Sequence, residues 1–205
     1  MRNNSENKVF TEDTKVKEYF RFIQENPYNL REQNIMKSLF PDLTQKDCLE
    51  IGCAGAIYSR MMMQRNAQSI QSFDYSPYMI NEAQKITRKK FIYSNKNINK
   101  PWNSTPEFDF ICASFVLHYS ENLELSIKNI SKILKPNGQL LFSIPNPQLH
   151  YQKEIKKSLV QTQLNGEPTF FFNHSLSSIF ETIKPYFKLE KCIINEEILI
   201  LNLHN

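Results

Sequence analysis

The chain has 205 residues, enough for one domain with a full core, and its 40% hydrophobic and 22% charged content is ordinary for a globular protein. A net charge of +4 is spread over scattered lysines, and runs such as Arg88-Lys89-Lys90 are too short for a nucleic-acid stripe, so no nucleic-acid partner is expected. The polar first residues hold no apolar leader and no run nears the roughly 18 apolar residues of a membrane span, so a cytoplasmic chain without a membrane partner is expected.

In chain order, residues 1–14 read as a flexible tail. Residues 16–24 fit a short amphipathic helix broken at Asn26-Pro27, and residues 30–40 a second one carrying Ile35, Met36, Leu39 and Phe40. Strands and helices then alternate. Residues 48–51 form an apolar strand, 57–66 a helix, and 69–73 a strand ending at Asp74. Ser76-Pro77 supplies an N-cap and a first-turn proline for a helix reaching about residue 88. Short strands at 91–93 and 108–113 flank a polar loop at 95–106. Residues 120–134 carry the clearest helical stripe, and Asn137-Gly138 turns into a strand at 139–144. Residues 148–173 read as an insertion with one helix near 151–160; a helix at 175–183 and a hairpin of 187–194 with 197–203 close the chain. This rhythm predicts a single α/β domain. Its sheet is doubly wound and Rossmann-like, mostly parallel with one antiparallel strand near the C-terminus, and has helices on both faces.

An open α/β sheet binds ligands beyond the carboxyl ends of its strands. The chain has only four glycines, and two of them, Gly52 and Gly55, stand at the first such end in "LEIGCAGA". Glycine there permits a sharp turn and a close ligand, and the following helix offers free N–H groups. Asp74 lies 22 residues after Gly52 at the next strand end, the spacing of a ribose-binding carboxylate. The G-x-G-x-x-G spacing of a dinucleotide site is absent, and Glu50 beside the glycines suits an ammonium or sulfonium better than a pyrophosphate. That pattern favours S-adenosylmethionine over NAD.

Here the sequence resembles the class I S-adenosylmethionine-dependent methyltransferases of the small-molecule type. "LEIGCAGA" is similar to the family's first motif and "SFDYSPYMINEAQ" to its second. Residues 108–147 resemble its fourth strand, helix and fifth strand, and "NPYNLREQNIMKSLFPDL" its N-terminal cofactor cover. The resemblance implies that Glu50, Gly52 and Gly55 approach the methionyl part of the cofactor. It implies that Asp74 holds the ribose, that Tyr75 and Met79 flank the adenine, and that Tyr28 covers the cofactor. Ser114 and Phe115 would line the space between cofactor and acceptor. Ala54 and Ala56 stand where the family commonly has glycine, and Ser94 and Asn95 where it has an acid that meets the adenine amine.

At the reactive end, His118 is the titratable candidate for a catalytic base, with a packing role as its rival. His150, Tyr151, His174 and the run Phe170-Phe171-Phe172 lie in or beside the insertion that would shape the acceptor pocket. The four cysteines, Cys48, Cys53, Cys112 and Cys192, share no Cys-x-x-Cys spacing; buried free thiols are expected, and no metal. The expected activity is methyl transfer to a small-molecule acceptor. A binding or scaffold protein that keeps the fold without turnover is the alternative, motivated by Ala56 and the missing adenine acid.

Overall fold

The computed structural model describes residues 10–88, 91–102, 107–149, 154–156, 158–164 and 166–205. Four strands, β1 (Asp47–Ile51), β2 (Ser69–Asp74), β3 (Ile92–Asn95) and β4 (Phe108–Ser114), run parallel to one another and to β5 (Leu134–Pro145). An insertion of β6 (Glu154–Lys156), β7 (Leu159–Leu164) and β8 (Glu167–Phe172) makes a separate antiparallel sheet. The closing hairpin of β9 (Lys188–Ile194) and β10 (Ile198–His204) completes the main sheet, in the order β3-β2-β1-β4-β5-β10-β9. β10 is antiparallel to both neighbours, as the sequence predicts.

Alternation along each strand sorts the core into two faces. Leu49, Ile51, Ile111, Leu140, Phe142, Leu199 and Leu201 point to one side, where α5 (Leu123–Ile133) and α6 (Leu176–Ile183) bring Ile127, Ile130 and Ile179. Cys48, Phe110, Cys112, Leu141 and Ile200 point to the other. There α2 (Pro27–Ser38), α3 (Ile57–Gln64) and α4 (Pro77–Thr87) bring Met36, Met62 and Ala83. All four cysteines are free; three are buried and Cys192 is exposed.

Three expectations need correction. Residues 10–14 are no tail: α1 (Asp13–Glu25) begins within them, and Phe10 is buried, its carbonyl accepting from the Ser76 hydroxyl. Residues 1–9 lie outside the described residues. Asn26-Pro27 both ends α1 and starts α2, because the Asn26 side chain accepts from the backbone N–H of Tyr28 and Asn29 while Pro27 takes the first turn. The insertion holds strands where a helix was expected; Val160 and Phe171 pair across β7 and β8, and both are buried. Among the described residues no helix is long and apolar enough to cross a membrane.

Candidate functional site

The glycine corner and Asp74 do converge. Gly52 and Cys53 donate backbone N–H bonds to the Phe73 carbonyl at 2.8 and 3.0 Å, which tethers the end of β1 to the end of β2. One Asp74 oxygen accepts from Ala54 N at 3.0 Å, and the other accepts from Ser76 N at 2.9 Å. The Tyr75 backbone N–H bonds the carboxylate as well, which leaves accepting capacity for a ligand hydroxyl on at least one of its oxygens. Burial pushes its pKa up to about 6, against the pull of those N–H groups.

Gly52 is required twice over. Its φ is +68°, and a Cβ there would come within 2.6 Å of the Val116 side chain. Gly55 is different, since a Cβ there would meet the Phe20 ring of α1 in ordinary contact at 3.7 Å. Ala54 (φ +39°) and Ala56 (φ +54°) hold left-handed backbone where glycine would sit more easily.

Glu50 does something the sequence did not suggest. Its oxygens accept from the backbone N–H of Tyr58 at 3.2 Å and of Ser59 at 2.8 Å, and from the Ser59 hydroxyl. It thus caps α3 from the end of β1, and the helix N–H groups expected to face a ligand are partly taken by the protein. Burial pushes its pKa up to about 7. Asn95 is likewise engaged, donating to the carbonyls of Asp74 and Tyr75 and bracing the end of β2.

Glu32, which the sequence reading passed over, is buried beside them on α2. Its carboxylate accepts from three hydroxyls: Ser114 at 2.8 Å, Ser143 and Tyr58. Burial raises its pKa and the three donors oppose the rise. A signal was present, since Glu32 precedes Ile35 and Met36 by three and four residues and so falls on the buried face of its helix.

Aromatic side chains gather beside Tyr75 and Met79. Phe10 meets Tyr19, Tyr75 and Tyr119 edge-on, with centroids 5.4, 6.4 and 5.4 Å apart, and Met79 is buried with Phe10, Val16 and Phe20. Tyr75 is itself largely exposed. What remains open is a cavity of about 40 Å³ lined by Tyr19, Asn29, Glu32, Glu50, Gly52 and Ser114 among others. That is room for a few waters, where small-ligand pockets run to roughly 300 Å³ and more. The residue types therefore fit a cation-bearing nucleoside, whereas the open volume is too small to hold a whole one.

On the far side of Ser114, Phe115 (φ +44°) is held by Ser143 and stacks on Tyr28 at 5.0 Å. The Tyr28 hydroxyl donates to the Glu197 carbonyl at 3.4 Å. His118 is buried against Phe115, Tyr119 and Phe171, and its Nδ1 has no hydrogen-bond partner. Burial pushes its pKa down to about 3. At pH 7 the ring is neutral and a weak base, so it is poorly suited to take a proton from a hydroxyl or amine. His174 contacts the Ser120 carbonyl at 2.8 Å, whereas His150 and Tyr151 lie outside the described residues.

A family model described as "Methyltransferase domain" matches residues 19–183. A Haemophilus influenzae protein of no assigned activity is 30% identical over 166 residues, which cover 72% of this chain and 65% of that one. The malonyl-[acyl-carrier protein] O-methyltransferase of Legionella pneumophila is 27% identical over 103 residues, 48% of this chain and 36% of its own length. The chain thus spans less than two thirds of either relative. The solved structure of an S-adenosylmethionine-dependent methyltransferase from Mesorhizobium loti superimposes with a TM-score of 0.72 at 14% identity, covering 85% of this chain and 97% of that one.

Proposed function

This chain belongs to the methyltransferase-domain family, as a class I S-adenosylmethionine-dependent methyltransferase, and we propose that it moves a methyl group to a small acceptor bound between Phe115 and the inserted sheet. The observation that carries this reading is the junction of Asp74 with the backbone of the glycine corner. The carboxylate keeps accepting capacity, which supports a role in holding a ribose hydroxyl. The bound cofactor supplies an electrophilic methyl group on a sulfonium.

The residues of the chain bind and orient. Asp74 accepts from the ribose hydroxyls, and Tyr75 and Met79 offer an apolar bed for the base once Phe10 has left it. Gly52 lets the chain turn beneath the ligand, and Ser114 marks the border with the acceptor side. Tyr28 and Phe115 form one wall of the acceptor space; β8 and His118 form the other. His118 presents an unpartnered nitrogen that can accept a hydrogen bond and fix an acceptor's orientation. Positioning supplies most of what such a transfer needs. An acyl group on a carrier protein is the second reading of the acceptor, favoured by the Legionella relative.

Calorimetric titration with S-adenosylmethionine and S-adenosylhomocysteine tests the cofactor site. Both should bind the wild type, and Asp74→Ala should weaken both by roughly tenfold or more, the worth of lost hydrogen bonds to a charged group. No heat with the wild type, or an unchanged constant in the variant, would sink the reading.

A further inference from the structure

Glu32 is a buried carboxylate held by hydroxyls alone. Ser114 Oγ at 2.8 Å and Ser143 Oγ donate to one of its oxygens, and Tyr58 donates to the other. Burial raises its pKa, and only those three hydroxyls oppose the rise. The titratable groups packed around it bring no compensating charge. Tyr58 of α3, Tyr19 of α1 and Cys112 of β4 are each pushed up by burial and stay neutral, and Glu50 of β1 lines the same cavity as a second acid. A carboxylate so placed is costly until a positive charge or a proton reaches it. Ser114 offers the route. It ends β4, is half-buried, lines the open cavity and precedes Phe115 of the acceptor wall. A hydroxyl both donates and accepts, so a group bound beside Ser114 communicates with Glu32 through it. His118, the other candidate for a base, is held neutral and weak by burial, with a pKa of about 3.

Resting on the cofactor reading above, we propose that Ser114 and Glu32 are the proton path of the reaction, which makes the acceptor a neutral hydroxyl or amine. Ser114 Oγ takes the proton of the acceptor's O–H or N–H while its own proton moves to Glu32 Oε1. The electron pair freed on the acceptor forms the new bond to the methyl carbon, and the pair of the broken carbon–sulfur bond stays on sulfur. Glu32 loses its negative charge in the step in which that sulfur loses its positive one, so the site ends with neither. An opposite charge nearby favours the ionised form of a carboxylate. Glu32 is therefore a base while the methyl group is still on sulfur, and it keeps the proton once the methyl group has gone. Ser114 is the catalytic residue in this scheme, and Glu32 acts through it.

S-adenosylmethionine and S-adenosylhomocysteine share the nucleoside and the amino-acid end and differ only in the charged methylsulfonium, so the pair isolates this coupling. Calorimetry of the full chain in buffers of different ionisation enthalpy counts the protons moved on binding. Scanned from about pH 5 to about pH 9, the wild type should release more protons with the first ligand than with the second, by up to about one per site. Glu32→Gln should abolish the difference. Ser143→Ala removes a donor that lowers the Glu32 pKa, so it should shift the difference to higher pH, and it decides alone if Glu32→Gln does not fold. No difference in the wild type, or the same difference in Glu32→Gln, would overturn the proposal by reducing Glu32 to a structural tie. Labelled methyl transfer to phenol, alcohol, amine and carboxylate probes examines the other half of the path. Ser114→Ala should slow transfer to the hydroxyl and amine probes by roughly 10²-fold, in rate rather than in cofactor affinity. Transfer to carboxylates alone, which bring no proton, would also overturn it. Failure of the wild type to bind either ligand is a different result, which removes the cofactor reading and this assignment with it.

Discussion

The two ends of the proposed cofactor site differ in what the chain does with them. Beyond β2, at the proposed nucleoside end, Phe10 and Phe20 bury Met79 with Tyr19 and Tyr119 packed against them, and Phe10 meets Tyr75 edge-on. Between α2 and the glycine corner a small cavity persists among Asn29, Glu32 and Glu50. Aromatic rings can stand in for an adenine because both are planar and apolar on their faces. No lysine, arginine or histidine is among the residues lining that cavity, although the Arg60 charge acts on Glu50.

The largest expected effect lies at the charged end. Glu50 has a folded pKa of about 7, against an ordinary 4.5. The folded chain therefore holds its proton over a window in which the unfolded chain has lost it. The stabilisation from this group is complete below about pH 4.5 and disappears as pH rises through about 7. Asp74, with a folded pKa of about 6, acts in the same direction. His118, with a folded pKa of about 3, acts oppositely as pH falls below its ordinary 6.5. Replacing Glu50 by Gln removes one contribution and leaves the others. Between pH 8 and pH 5 the wild type should gain ~2–3 kcal/mol more stability than Glu50→Gln does. Denaturant titrations at the two pH values measure it, and parallel slopes would mean that the carboxylate is hydrated and the cavity wet.

The apolar end comes next. A buried phenylalanine contributes about 1.5–3 kcal/mol, and the ring of Phe10 occupies the bed that Tyr75 and Met79 offer. If ring and nucleoside compete, shortening the ring raises the fraction of molecules able to bind. Phe10→Ala should then bind S-adenosylhomocysteine roughly tenfold more tightly. Weaker binding in the variant would reverse the comparison and make Phe10 part of the wall that holds the ligand.

How much of this was legible in the sequence follows from the range of the forces involved. The mostly parallel sheet and the closing antiparallel strand follow from local periodicity, and the glycine corner and Asp74 meet at neighbouring strand ends as the sequence predicts. The residues that close the site act across the fold. Phe10 reads as tail because its partners, Tyr75 and Tyr119, are far away in sequence. Glu50 reads as ligand-facing because its true partners, the N–H groups of Tyr58 and Ser59, belong to every helix start and leave no mark in the residue types. In the insertion the sequence carries a local hairpin signal, Asn-Gly at 165–166 between two runs rich in β-branched and aromatic residues, and Gly166 has φ +78°. Ile155 and Leu159, spaced four apart, imitate a helix there.

The smallest effects lie in the corner that both ends share. Ala54 and Ala56 are held at positive φ, at about 1–2 kcal/mol per residue. Glycine at either position removes that strain but costs about 0.4–1 kcal/mol through the freer unfolded chain. The two sites separate on burial. The Ala56 methyl is fully buried against the α3 side of the sheet, and its loss forfeits a further ~0.8 kcal/mol. Ala54 is only partly buried, so less is lost with its methyl. Ala54→Gly should therefore stabilise the chain by about 0.5 kcal/mol, and Ala56→Gly should leave it near wild type. Melting curves in parallel would resolve the order of the two. Were Ala56→Gly the more stabilising, strain would outweigh packing at the helix start, and its alanine would be favoured by something other than the stability of the empty chain, such as a stiffer floor beneath a bound ligand.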